Sequence, residues 1–241
     1  PAHPPRIPPN LFKAYDLRGV VGRDIDAAIA GQVARALAGM AREAGHDGIV
    51  LGRDSRLSGP ALASAVGDGL RAGGLDVIDL GLVTTPMAYF AAEHLGTRAA
   101  VMVTGSHNPP DQNGLKIVLG GESLSEASLH ALRQRAEAGP VPDTERPGAL
   151  IRRDIAADYH QRITDDVRPA RALRVVLDAG NGAAGPYAPD LFRALGCQVD
   201  ALYCEPDGHF PHHHPDPSRP ENLEPLRARV LATGADLGDD V

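Results

Sequence analysis

A chain of 241 residues can bury two ordinary cores, and a 43% hydrophobic share without tryptophan fits globular domains. No apolar run reaches the ~18 residues that a membrane span requires, so the sequence predicts a water-soluble chain with no membrane partner. A formal charge of -7 argues against a nucleic-acid binder working through a broad basic face, while leaving room for a local basic pocket that holds a small anion.

The first ten residues, PAHPPRIPPN, lack the apolar segment and the small-residue cleavage site of a secretory signal. Their prolines suggest a mobile or extended arm over 1–10, and a cytoplasmic location follows by default. Residues 24–44 then set Ile25, Ile29, Val33, Leu37 and Met40 at steps of three and four, the stripe of an amphipathic helix. A short strand, GIVLG, follows it. SGPALASAVGDGLRAGG reads as a second helix with Pro60 in its first turn and glycines at its end. The strand LDVIDLG, the helix PMAYFAAEHL and the strand AAVMVTG continue the alternation, and another helix is predicted from Ser125 to Ala138.

The linker-like stretch AGPVPDTERPGAL places a boundary near residue 145. Beyond it, Ile155, Tyr159, Ile163 and Val167 mark a helix, and a second series begins: strand LRVVLD, a glycine turn, helix APDLFRALG, strand CQVDALYCE, a long loop, helix NLEPLRARVLATG and the strand entry ADLG. Helices alternating with short apolar strands mean crossover units and sheets covered on both faces. The predicted fold is α/β, with two consecutive three-layer α/β/α domains (11–145 and 146–241) built on mixed, mostly parallel sheets. The second is expected to be incomplete, because the chain closes on Asp239, Asp240 and Val241 just after ADLG. No exposed apolar stripe stands out, which favours a monomer.

Three features compete for attention. Cys197 and Cys204 in one strand would lie ~23 Å apart at ~3.3 Å per residue, too far for a disulfide, and read as two buried free thiols. Gly180, Gly182 and Gly185 fit a dinucleotide-binding G-x-G-x-x-G. Against NAD binding stand Asp200, early in the next strand, and Pro186, which removes an amide from the helix start, so a tight structural turn is the better reading. His209, His212, His213 and His214 crowd a proline-rich loop without the i,i+4 spacing of a helical metal pair, and read as loop residues. Arg53 and Arg56 follow a strand, and an ion pair with Asp54 or another carboxylate is expected for at least one of them.

The chemistry concentrates in VMVTGSHNPPDQNGLKIVL, residues 101–119. Ser106 falls just past the carboxyl end of a parallel strand, the edge where open α/β sheets bind ligands. The prolines after Asn108 forbid the helix that a hydrolase elbow needs. A hydroxyl, close glycines, His107 and Lys116 together are a set for handling phosphate. TGSHNPPDQNGLK resembles the active-site serine loop of the α-D-phosphohexomutases, and most of all that of the bacterial phosphomannomutase/phosphoglucomutase branch. FKAYDLRGVVG, LGRDSRLSGPAL, DAGNGAAG and EPDGHFPHHHPDPSRPENL resemble successive signatures of the same family, so the likeness spans nearly the whole chain.

The resemblance implies an enzyme interconverting hexose 1-phosphate and 6-phosphate, of mannose or glucose, through a phosphoserine at Ser106 and a 1,6-bisphosphate intermediate. It implies Lys116 as proton donor or acceptor supported by His107, Arg18 and Tyr15 near the reacting phosphate, and Mg²⁺ as cofactor with glucose 1,6-bisphosphate as activator. Ser106 would be one magnesium ligand, with Asp239 and Asp240 as remnants of an Asp-Gly-Asp-Gly-Asp-Arg loop that this chain does not carry intact. Gly105 before the serine argues against phosphoglucosamine mutase, where alanine is usual. With that loop and further domains missing, the chain as it stands is expected to be an inactive fragment. A phosphosugar-binding module without catalysis is the alternative from another class.

Overall fold

The computed structural model describes residues 6–139, 144 and 146–241. Residue 145, where composition places the boundary, lies outside them. The described chain forms two compact units. The first comprises residues up to Asp54, Ser58–Gly105 and Asp111–Asp154; the second comprises Ser55–Leu57, Ser106–Pro110 and Ile155–Val241.

In the first unit a short 3-10 turn, Pro9–Leu11, buries Leu11, and Ile7 before it is buried as well, so this part of the predicted arm is packed rather than free. Strand β1 (Leu17–Val20) leads to helix α1 (Ala27–Glu43), whose start is fixed by Asp26, its side chain accepting a 2.8 Å hydrogen bond from the Ile29 amide. Then come β2 (Gly48–Arg53), α2 (Gly59–Ala72), β3 (Asp76–Leu82), α3 (Thr85–His94), β4 (Ala99–Val103), β5 (Gln112–Leu119), β6 (Glu122–Ser123), α4 (Glu126–Glu137) and β7 (Leu150–Arg152). The sheet order is β1-β5-β4-β2-β3-β7, with β6 on β5. Strands β4, β2, β3 and β7 run parallel, whereas β5 is antiparallel to β1, β4 and β6.

Strand alternation sorts the core. Ile49, Leu51, Val101 and Val103 face α1, α2 and α4 in one continuous apolar cluster. Val50, Ala100 and Met102 are also buried but point away from that cluster, and α3 packs against their strands with Met87, Ala88, Ala91 and Ala92 buried. Helices α1 and α2 cross closely because Gly69 has no side chain: a Cβ there would run into the Gly31 carbonyl oxygen.

The second unit holds α5 (Ala156–Asp166), β8 (Arg174–Asp178), α6 (Ala188–Ala194), β9 (Gln198–Leu202), a 3-10 turn (Pro220–Leu223), α7 (Glu224–Thr233) and β10 (Leu237–Asp240). Its three strands are all parallel, in the order β10-β8-β9. Val176, Leu202 and Leu226 anchor a small core, α5 buries no residue, and Leu231 of α7 is 83% exposed. Mixed sheets in the first unit and parallel strands in the second match the expected α/β class.

One expectation is corrected here. Strand β9 is shorter than CQVDALYC, so Cys197 precedes it and Cys204 follows it; both are free but only half-buried, since neither side chain sits within the sheet. Burial still pushes the Cys204 thiol above its ordinary pKa.

Candidate active site

Strand β4 ends the fully buried run Ala99–Val103 and delivers Thr104 and Gly105 to its carboxyl edge. Asp54, just beyond the parallel neighbour β2, fixes this turn: its carboxylate accepts hydrogen bonds from Thr104 Oγ1 (2.7 Å) and the Gly105 amide (3.1 Å). On the same unit, β1 and β5 pair antiparallel, with Arg18 opposite Gly114 and Lys116 two residues further along β5. Asp16, almost completely buried, accepts a 2.5 Å hydrogen bond from Arg18 and lies 3.6 Å from Lys116 Nζ. One carboxylate thus holds two of the predicted site cations, and sequence reading missed it. Tyr15 beside it is 76% exposed.

In the second unit Ser106 has φ +53°, a left-handed conformation uncommon for a residue with a Cβ. Its Oγ lies 3.4 Å from His107 Nδ1. Arg56, 1% exposed, donates to the carbonyl oxygens of Ser106 (2.7 Å), Asn108 (2.6 Å) and Pro109 (2.6 Å). Its guanidinium also lies 5.6 Å from the centre of the Phe210 ring, within cation–π range. In these three bonds the Arg56 guanidinium meets main-chain carbonyls. Arg53 bonds the Asp54 carbonyl at 3.3 Å.

The histidine loop is a set of individually anchored rings. His214 Nε2 meets the His107 carbonyl at 3.0 Å, His212 Nδ1 meets Asn181 Oδ1 at 2.7 Å, and His213 Nε2 sits 3.1 Å from both oxygens of the fully buried Asp178. Tyr203 stacks on His212 at 3.9 Å. Burial works against charging His213, but the His214 carbonyl and Asp178 outweigh it and hold the ring above the ordinary imidazole pKa. His209 pairs with Asp207 at 2.8 Å.

The glycine turn is closed on itself. The Gly180 amide donates to Asp178 Oδ1, that of Asn181 to the Tyr203 carbonyl and that of Gly182 to the Ala179 carbonyl. Those three amides have inward partners instead of facing a pyrophosphate, as the structural-turn reading requires.

A comparison with protein families matches residues 9–140 to "Phosphoglucomutase/phosphomannomutase, alpha/beta/alpha domain I" and residues 157–239 to domain II of the same family. The chain belongs to the phosphoglucomutase/phosphomannomutase family. It is 47% identical over 237 residues to a phosphomannomutase/phosphoglucomutase of Pseudomonas aeruginosa, covering 98% of this chain and 51% of that protein. Identity to a phosphoglucomutase of Neisseria gonorrhoeae is 44%, over 95% of this chain and 50% of that one. The crystal structure of a phosphoglucomutase/phosphomannomutase family protein from Burkholderia thailandensis superposes with a TM-score of 0.91 at 44% identity, covering 97% of this chain and 52% of the other. The chain spans about half the length of the curated relatives it matches.

The residues present do not by themselves amount to the magnesium centre that the family resemblance implies. Among the described residues no group of three or more His, Cys, Asp or Glu side chains is arranged to hold a metal ion. Asp239 and Asp240 are consecutive on β10, so their side chains leave opposite faces of the strand. Asp240 lies level with Asp178. Burial, and then the Asp178 charge, push the Asp240 carboxyl up to about 6, and burial raises Asp239. Asp178 is already bonded to His213.

Among the described residues no helix is long and apolar enough to cross a membrane.

Proposed function

We propose that this chain carries the phosphoryl-accepting part of a hexose phosphate mutase that interconverts the 1-phosphate and 6-phosphate of mannose or glucose. The observation that carries the reading is Ser106 itself: a hydroxyl placed past the end of a buried parallel strand, in a left-handed conformation, on a loop whose carbonyls are gripped from below. Uncommon backbone geometry of this kind persists only where its surroundings enforce it, and it concentrates at functional sites.

In the proposed cycle a new bond forms between Ser106 Oγ and the phosphorus of a hexose 1,6-bisphosphate, while the bond from phosphorus to the sugar oxygen breaks. The hydroxyl proton leaves toward the imidazole of His107, 3.4 Å away, and the freed sugar oxygen takes a proton from Lys116. The reverse step passes the phosphoryl group from Ser106 to the free hydroxyl of an incoming hexose monophosphate that carries its phosphate at the other end, which regenerates a 1,6-bisphosphate and the serine hydroxyl. The family resemblance assigns Arg18 and Tyr15 to the phosphate, and within the first unit Asp16 holds the Arg18 and Lys116 cations. The phosphoserine would bring a charge of roughly -1.5 to -2 to this loop.

Phosphopeptide mapping of Ser106 tests the reading, on the native gene product incubated with glucose 1,6-bisphosphate and Mg²⁺. Phosphate on Ser106 supports it. An unmodified Ser106 in protein that still binds hexose phosphate favours a binding module. The 241-residue polypeptide alone is expected to turn over no mannose 1-phosphate, because the charge that phosphoryl transfer needs neutralised has no complete acidic metal group among its described residues. Turnover in a preparation free of host mutase would overturn that expectation.

A further inference from the structure

We propose that Arg56 is a positioning residue for Ser106, one that sets the direction of the serine hydroxyl by clamping the loop behind it; the inference rests on the phosphoserine reading above. The argument begins with burial. A fully buried guanidinium is rare, and is ordinarily paired with a carboxylate or engaged in many hydrogen bonds. Arg56 is 1% exposed and directs three bonds of 2.6–2.7 Å to one short stretch of backbone fifty residues away in sequence. The planar fork is well shaped for such a clamp, since its donors diverge in fixed directions and three carbonyls bound to it are fixed relative to one another.

What the clamp holds is the residue with the unusual geometry. The carbonyl of Ser106 itself accepts from Arg56. With the peptide after Ser106 held by Arg56 and φ at +53°, rotation about χ1 is a main freedom left to Oγ. Phe210 lies against the guanidinium at 5.6 Å and is itself in a left-handed conformation. The cation beneath the loop also favours a phosphate dianion above it. Lysine would keep that charge but lose the fork, which separates the two contributions.

The native gene product is compared with Arg56→Lys, Arg56→Ala and Phe210→Leu by two readouts, the rate at which Ser106 takes phosphate from glucose 1,6-bisphosphate and hydrogen exchange at the Gly105 to Asn108 amides. Arg56→Lys is expected to melt close to the parent, to take phosphate about 100-fold more slowly, and to exchange these loop amides about tenfold faster than the parent. Millimolar guanidinium should restore part of the uptake by Arg56→Ala and leave the parent unchanged, which a purely structural role would not produce. Phe210→Leu should slow uptake about threefold.

Parent-like uptake and exchange in Arg56→Lys overturn the inference, as does faster exchange spread evenly over the second unit. If the Arg56 variants do not fold, Phe210→Leu decides, and parent-like behaviour on both readouts overturns it. A parent protein that takes no phosphate defeats the phosphoserine reading. The exchange readout then judges Arg56 by itself: selective loosening of the loop upholds the clamp, and an unchanged loop rejects it.

Discussion

Asp16 and Lys116 form a pair across the β1 and β5 edge, with the carboxylate 3.6 Å from Nζ, and the same carboxylate oxygen accepts the Arg18 bond at 2.5 Å. Two like charges are thereby kept close to one another by a third, buried group. Asp16→Asn preserves size but removes that compensation. It is expected to lower the stability of the first unit by about 1–3 kcal/mol in urea unfolding and to slow phosphoryl uptake at Ser106 by about tenfold or more. An unchanged uptake rate would show that Lys116 does not depend on this carboxylate.

Ser106→Gly separates stability from chemistry. A residue with a Cβ at φ +53° carries a penalty of roughly 1–2 kcal/mol that glycine escapes. The variant should therefore unfold no earlier than the parent, and by about 1 kcal/mol later if the unfolded-state entropy of glycine leaves part of the gain. It should take no phosphate at this position. Thermal melts paired with phosphopeptide mapping check both halves.

Asp236 gives the second unit a defined acid sensitivity. The Arg171 guanidinium and the Arg174 amide hold its carboxyl at about 2, below the ordinary carboxylate range. A depressed folded-state value means that the stabilisation is complete above the unfolded value of about 3.9 and is lost as pH falls through it toward 2. Asp236→Asn should remove that part of the slope, bringing parent and variant closer together at pH 2 than at pH 6. Parallel stability curves across this range would refute the assignment.

Much of the fold was legible because it is periodic. Ile29, Val33 and Leu37 announce α1 without any knowledge of its partners, and β2, β4 and β8 announce themselves as short apolar runs. Strands β1 and β7 were not legible, since LRGV and LIR are too short to show a period and exist because β5 and β3 are there to pair with them. The candidate site divides in the same way. Ser106, His107 and Lys116 lie within one readable stretch, whereas Asp16, Asp54 and Arg56 gain meaning only from partners 50 to 100 residues away. Arg56 in particular looks like any surface arginine until its burial is known.

Gly208 tests how tightly the distant segments fit. A Cβ there would lie 2.6 Å from both the Leu57 amide nitrogen and the Ser55 carbonyl oxygen, and neither backbone atom can step aside. Gly208→Ala is expected to destabilise the second unit by about 1–3 kcal/mol and to loosen exchange at the Leu57 amide before it affects β8. Uniform protection across the variant would mean that this approach is relaxed in solution.

That second unit is assembled from three separate stretches of chain, two of them only three and five residues long and encoded far upstream. A gene cut at residue 155 would leave both short stretches behind. The excised piece would lack Arg56 and the serine peptide, and Phe210 and His214 would have lost their partners.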